Sequence, residues 1–151
     1  MNNSLKEVFH SVLHRLRTLP FIRLFFMTPR QRLGRRAELC VRNRLRSEGY
    51  AILERNYQVR AGEIDIIAFR KGTIAFVEVR SRTGKDGFTP ESSVTYPKQK
   101  KVISAARSYV AEHLQWAEGR NVLRFDVAAV TFDNGGRVID LDYYEDAFRP
   151  D

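Results

Sequence analysis

The sequence predicts an α/β domain, a central mixed sheet flanked by helices, in the order helix, strand, strand, strand, helix, strand, strand. Three observations carry this. Residues 29–48 and 95–114 place apolar side chains at helical spacing. Residues 62–70 and 73–82 are runs rich in Ile, Val and Phe, joined by a Lys71-Gly72 turn. Residues 122–132 and 137–144 are two further runs, joined by Asn134-Gly135-Gly136. The 151 residues suit one domain with a real core.

Taken in order, residues 4–17 bring Leu5, Val8, Phe9, Val12, Leu13 and Leu16 to one helical face, and an apolar stretch interrupted by Pro20 and Arg23 follows. Residues 1–28 therefore read as a basic amphipathic extension ahead of a domain spanning 29–151. The extension could dock on the domain, pair with a second copy or lie on a membrane surface. His10 and His14 stand four apart, but a surface pair without function is the plainer reading of that spacing. Thr28-Pro29 opens the first helix, Gly49 closes it, and Leu33, Ala37, Cys40, Val41 and Leu45 form its inner stripe. Gly34 is costly within a helix and would allow close approach to the sheet or to a ligand. Residues 50–60 give the first strand, ahead of the central hairpin. Residues 83–94 form a loop with Gly84, Gly87 and Pro90. Thr95-Tyr96-Pro97 then opens a second helix with Val102, Ile103, Ala106, Val110 and Leu114 facing inward.

The formal net charge is +8 and the pI near 10.0, which points to a polyanionic partner. The excess is uneven: residues 1–36 hold eight Lys/Arg against Glu7 alone. A single cysteine, Cys40, rules out an internal disulfide and reads as a small buried helix residue. No apolar run approaches the ~20 residues of a membrane span, and no secretory signal is visible. Cytoplasm is the expected compartment.

The chemistry concentrates in the hairpin. Asp65 interrupts an Ile-rich strand, and carboxylates enter such runs chiefly when paired, hydrogen-bonded or bound to metal. Glu78 and Arg80 share a face of the next strand. Two carboxylates and a cation on adjacent strands would make a hard-cation site beside a phosphate-sized cavity. The plainer alternative places all three on a solvated face, as surface ion pairs. Glu38, at the edge of the first helix's stripe, could reach toward Asp65 or pair with Arg42. Lys98, Lys100 and Lys101 load the first turn of the second helix with cations that oppose its dipole. They suit phosphate binding, or form a solvated basic turn. Asp126, on the fourth strand, reads as a structural hydrogen-bonder ahead of a ligand.

These pieces form a recognisable conjunction. Gly34-Arg35-Arg36-Ala37-Glu38, residues 49–57 (Gly-Tyr-Ala-Ile-Leu-Glu-Arg-Asn-Tyr), Gly62-Glu63-Ile64-Asp65, Phe76-Val77-Glu78-Val79-Arg80, Lys98-Gln99-Lys100, Arg124-Phe125-Asp126-Val127 and Asp146-Ala147-Phe148 resemble the YraN-like family of bacterial proteins. That family is placed in the PD-(D/E)XK nuclease superfamily, close to archaeal Holliday-junction resolvases. The resemblance covers about three-quarters of the chain, from Gly34 onward. It implies a nuclease-like fold of one helix, three strands, a helix and one more strand. It implies Mg²⁺ (or Mn²⁺) held by Asp65 and Glu78 with Glu38 reaching in, and Arg80 and Lys98 as further catalytic residues. It implies DNA as partner, structured or branched by analogy, with Arg35, Arg36, Lys98, Lys100 and Lys101 on its phosphates. One departure stands out. The superfamily's third motif is Glu-x-Lys, and here it is Glu78-Val79-Arg80. Arginine also occurs at this place in the resembling family. Because arginine stays charged it can orient or stabilise, but it cannot take a proton as lysine can. Lys98 or Lys100 would then have to supply the amine. The resemblance thus implies a Mg²⁺-dependent endonuclease. The rivals are a DNA-binding accessory module whose nuclease site has lapsed, and a dimeric or membrane-surface interaction protein built around residues 1–30.

Overall fold

The computed structural model describes residues 27–84, 94–118 and 121–150. The expectations placed on residues 1–26, including the His10/His14 pair, lie outside these, as does most of the loop after residue 84. The chain divides between Leu33 and Gly34. Helix α1 (Pro29–Ser47) opens on a reciprocal cap. The Gln31 N–H donates to Thr28 Oγ1 at 3.2 Å, and the Thr28 N–H donates to Gln31 Oε1 at 2.9 Å. The helix gives way at Gly49, whose φ of +85° suits a residue without Cβ. Ala37, Val41 and Leu45 are its buried stripe, while Cys40 is half-buried. Gly34 does not serve close approach to the sheet, because no described residue outside its own helix backbone lies within 4 Å of where its Cβ would stand.

Five strands follow the expected order: β1 (Ala51–Val59), β2 (Gly62–Arg70), β3 (Thr73–Thr83), β4 (Val122–Phe132) and β5 (Val138–Phe148). They form one sheet in sequence order, antiparallel except for the β3–β4 pair. The expected α/β mixed sheet is therefore present, with β5 as a strand beyond those the resemblance implies. Lys71 and Gly72 both take positive φ, which matches the twist of the hairpin they join. A parallel pair requires a crossover. Helix α2 (Tyr96–Glu112) supplies it and packs chiefly on β2. The crossover brings the start of α2 back toward the end of β3, where Glu78 and Arg80 sit.

The main core lies between α2 and the sheet. Phe76 stacks on Phe125 with centroids 5.5 Å apart and meets Tyr109 edge-on at 6.2 Å. Ile64, Ile67, Ile74, Val102, Ala105, Ala106 and Val127 complete it. Ala75 and Val77 alternate with these residues and are also fully buried, so β3 is covered on both faces. Arg36 of α1 lies over the Phe132 ring, on the face of β4 opposite Phe125 and Val127.

Two expectations need correction. Leu114 is exposed, because α2 ends at Glu112 and a short helix, α3 (Leu114–Glu118), starts a new direction. Tyr109 and Ala105 fill the stripe instead. Strand β5 runs on to Phe148 rather than ending at Tyr144, through a positive-φ Asp146 whose N–H donates to the Asp126 carboxylate. Among the described residues no helix is long and apolar enough to cross a membrane.

One irregularity positions everything that follows. The β2–β3 ladder runs from Arg70–Thr73 to Ile66–Val77 and stops there. Residues 62–64 remain paired with β1, while β3 beyond Val77 remains paired with β4. The sheet forks between β2 and β3, and the fork opens where Asp65 and Glu78 would otherwise face each other.

Candidate metal centre

A fork leaves main-chain groups without ladder partners, and these need replacements. Asp65 provides one. Its Oδ2 accepts the Val79 N–H at 2.7 Å, so the carboxylate stands in for the β2 backbone and lies in the fork. Glu78, the residue before Val79, is only 2% exposed. Its Oε1 lies 3.3 Å from Lys98 Nζ and 3.6 Å from Arg80 Nη2. The Lys98 ammonium also donates to Glu63 Oε1 at 2.8 Å. The structure thus brings together Asp65, Glu78, Arg80 and Lys98, from two strands and the first turn of α2. The plainer sequence reading, a solvated face of surface ion pairs, fails for Glu78 on burial alone.

The carboxylates feel one another. Burial first, and the Asp65 charge next, push the Glu78 carboxyl up to about 7, although Lys98 and Arg80 pull it down. Asp65 is also raised, mainly by burial, with the Val79 N–H and Lys98 opposing. Glu38 is raised by burial and by Asp65, and lowered by a hydrogen bond from Asn56 and by Arg35. Glu38 therefore sits within electrostatic reach of Asp65. Its polar partner is Asn56, and the Arg42 guanidinium turns instead to Asn43. Asn56 has φ +53° and falls between Arg55 and Tyr57, which pair with Ile66 and Ile64 on either side of Asp65. Burial draws the Lys98 ammonium down, but the Glu63 hydrogen bond and the charges of Glu78, Glu63 and Asp65 outweigh it and hold it above its usual value.

Two atoms in the fork stay unsatisfied. Glu78 Oε2 and Arg80 Nε are buried and have no hydrogen-bond partner among the described residues. Such atoms usually cost stability, about 1–3 kcal/mol each. Here one is an anionic acceptor and the other a cationic donor, on side chains two residues apart. Among the described residues, no group of three or more His, Cys, Asp or Glu side chains is set to hold a metal ion. The Asp65–Glu78 pair with its open Oε2 does fit magnesium, which binds through one or two carboxylates and fills its remaining sites with water and phosphate oxygens.

The remaining candidates fall elsewhere. Asp126 is fully buried on the other face of β4 from Val127, the register partner of Glu78. Both its oxygens are occupied: Arg124 binds them at 2.9 Å, Tyr143 donates at 2.7 Å and the Asp146 N–H at 2.9 Å. It fastens β5 and takes no part in the fork. Lys100 lies over the Tyr96 ring with its Nζ 4.5 Å from the centroid, and Lys101 is exposed. Of the three lysines only Lys98 enters the fork. Sequence reasoning gave no role to Glu63 or Asn56. The alternation of Glu63 with Asp65 along one strand was the available signal for the first; only the backbone turn at Asn56 discloses the second.

The profile of Uncharacterised protein family UPF0102 matches residues 37–130, which contain every side chain of the fork. A UPF0102 protein of Clostridium perfringens is 40% identical over 105 residues, spanning 70% of this chain and 84% of the relative. One from Chlorobium limicola is 43% identical over 121 residues, spanning 77% and 91%. One from Pelotomaculum thermopropionicum is 37% identical over 119 residues, spanning 79% and 97%. Motifs, fold and relatives agree: the chain belongs to the UPF0102 family, the YraN-like proteins of PD-(D/E)XK nuclease-like type.

Proposed function

We propose that the fork binds a divalent cation and a DNA phosphate, and that the protein is a Mg²⁺- or Mn²⁺-dependent endonuclease. One observation carries this reading. Among the described residues, Glu78 Oε2 and Arg80 Nε are buried without hydrogen-bond partners, in side chains whose Oε1 and Nη2 stand 3.6 Å apart. A cation on the first and a phosphate oxygen on the second would satisfy both at once. Asp65 and Glu78 would hold the ion, and Glu38 would add negative charge from the Asp65 side. The bound ion would supply an activated water and neutralise charge on the scissile phosphate. Arg80 orients the phosphate, since its guanidinium cannot accept a proton. Lys98 is held protonated by the acids around it, so it stabilises charge developing on the phosphoryl oxygens or the departing oxygen. Its Nζ and the Arg80 Nη2 both lie against Glu78 Oε1, at 3.3 and 3.6 Å.

The test is cleavage of linear, forked and four-way DNA with Mg²⁺ or Mn²⁺. The wild-type protein should cut at least one form, and Asp65→Asn and Glu78→Gln should each lower the rate by about 10²-fold or more. Arg80 favours one rival, a DNA-binding module whose cutting has lapsed. If the wild type only binds DNA, Arg80→Lys separates the two readings. A gain of metal-dependent cleavage would identify the missing amine as the defect, and retained binding without cleavage would favour the module.

A further inference from the structure

The geometry points to Glu63 as a positioning residue for Lys98, an inference that rests on the fork being a cation and phosphate site. Lys98 is the third residue of α2, and its side chain is only 20% exposed. Its ammonium divides between Glu63 Oε1 at 2.8 Å and Glu78 Oε1 at 3.3 Å. The closer partner is the more exposed one: the Glu63 side chain is 53% exposed and that of Glu78 is 3% exposed. An exposed ion pair adds little to stability, so the value of Glu63 lies in where it holds the ammonium.

Its own position is fixed by the backbone. A Cβ built on Gly62 would stand 2.2 Å from the Lys101 carbonyl oxygen, so β2 enters the fork pressed against the second turn of α2. That contact sets Glu63, the next residue of β2, beside Lys98. Without Glu63, the nearest remaining acids are Glu78 and Asp65, and the ammonium would close onto them. It would then compete for Glu78 Oε2, the oxygen left open. Glu63 tethers Lys98 beside the carboxylate pair and keeps it from occupying the cation's place.

A double-mutant cycle on Mn²⁺ binding, read by calorimetry on the full chain, tests this. Glu63→Gln should weaken Mn²⁺ binding about ten-fold in the wild-type background and hardly at all in the Lys98→Met background. Equal weakening in both backgrounds would make Glu63 a direct partner of the ion and overturn the tether, as would no weakening in either. A second readout does not depend on metal. A pinned ammonium exchanges slowly enough to give a ¹H–¹⁵N signal. The Lys98 signal should be visible in the metal-free wild type and should shift in Glu63→Gln as the ammonium closes onto Glu78 and Asp65; an unchanged signal in the variant would overturn the tether. Should the wild type bind no Mn²⁺ at all, the cation reading fails, and the ammonium signal still decides whether Glu63 holds Lys98.

Discussion

Glu78 accepts near-complete burial with one oxygen unpaired, and this should be visible in how stability depends on pH. Its carboxyl binds a proton more tightly in the folded chain than in the unfolded one, with its value raised from 4.5 to about 7. The stabilisation linked to that proton is fully present below 4.5 and is lost as pH rises through about 7. The shift corresponds to a loss on the order of 3 kcal/mol. Asp65 and Glu38, also raised, act in the same direction. Glu63, lowered by its hydrogen bond to Lys98, opposes them. Urea unfolding without divalent ions should therefore show stability falling across this range, and Glu78→Gln should flatten the fall. A metal-free protein whose stability rises with pH there would count against the buried acid pair. Asp65→Asn keeps an oxygen to accept the Val79 N–H, so the variant should stay folded and lose divalent binding. Asp65→Ala, which orphans that N–H, should cost about 1–3 kcal/mol. Asp65, Glu78, Arg80 and Lys98 were legible in sequence because charged residues in apolar strands and lysines that oppose a helix dipole are unusual. The tie between Glu38 and Asn56 was not, since it depends on a positive φ that no pattern announces.

At the scale of elements, the fork depends on close contact between the start of β2 and the second turn of α2. Gly62→Ala should force the two apart, costing roughly 1–3 kcal/mol or more, and should loosen Lys98 as well. Unfolding of the variant measures the first effect and a shift or loss of the Lys98 ammonium signal the second. An unperturbed Gly62→Ala protein would show that the contact is not needed. The Asp126 network belongs to this scale too. Asp126→Ala would leave the Arg124 guanidinium, the Tyr143 hydroxyl and the Asp146 N–H without their shared acceptor, a loss of about 3–5 kcal/mol by denaturation. The hairpin, both main helices and the β4 run were readable from periodicity and turn residues. The far end of β5 was not, because it is held by the side chain of Asp126, a tertiary partner. Leu114 was misplaced for a related reason: helical period was extrapolated past Glu112, where the chain turns into α3.

The whole molecule carries its positive charge unevenly, and the fork is a cluster of acids offset by Lys98 and Arg80. Lys100 and Lys101 remain exposed beside it, where they can meet phosphates. Replacing both with alanine should lower the salt slope of DNA binding by about 2 while leaving metal binding in place, since each phosphate contact contributes about 0.9. An unchanged slope would put the DNA path elsewhere. The most direct test of the central claim is an anomalous difference map from crystals of the wild-type protein soaked in Mn²⁺. The account predicts one strong peak in the fork, within ligand distance of Asp65 and of Glu78 Oε2, and no such peak in Asp65→Asn crystals. No peak in the wild-type fork, or one bound only by acids outside it, would contradict the account.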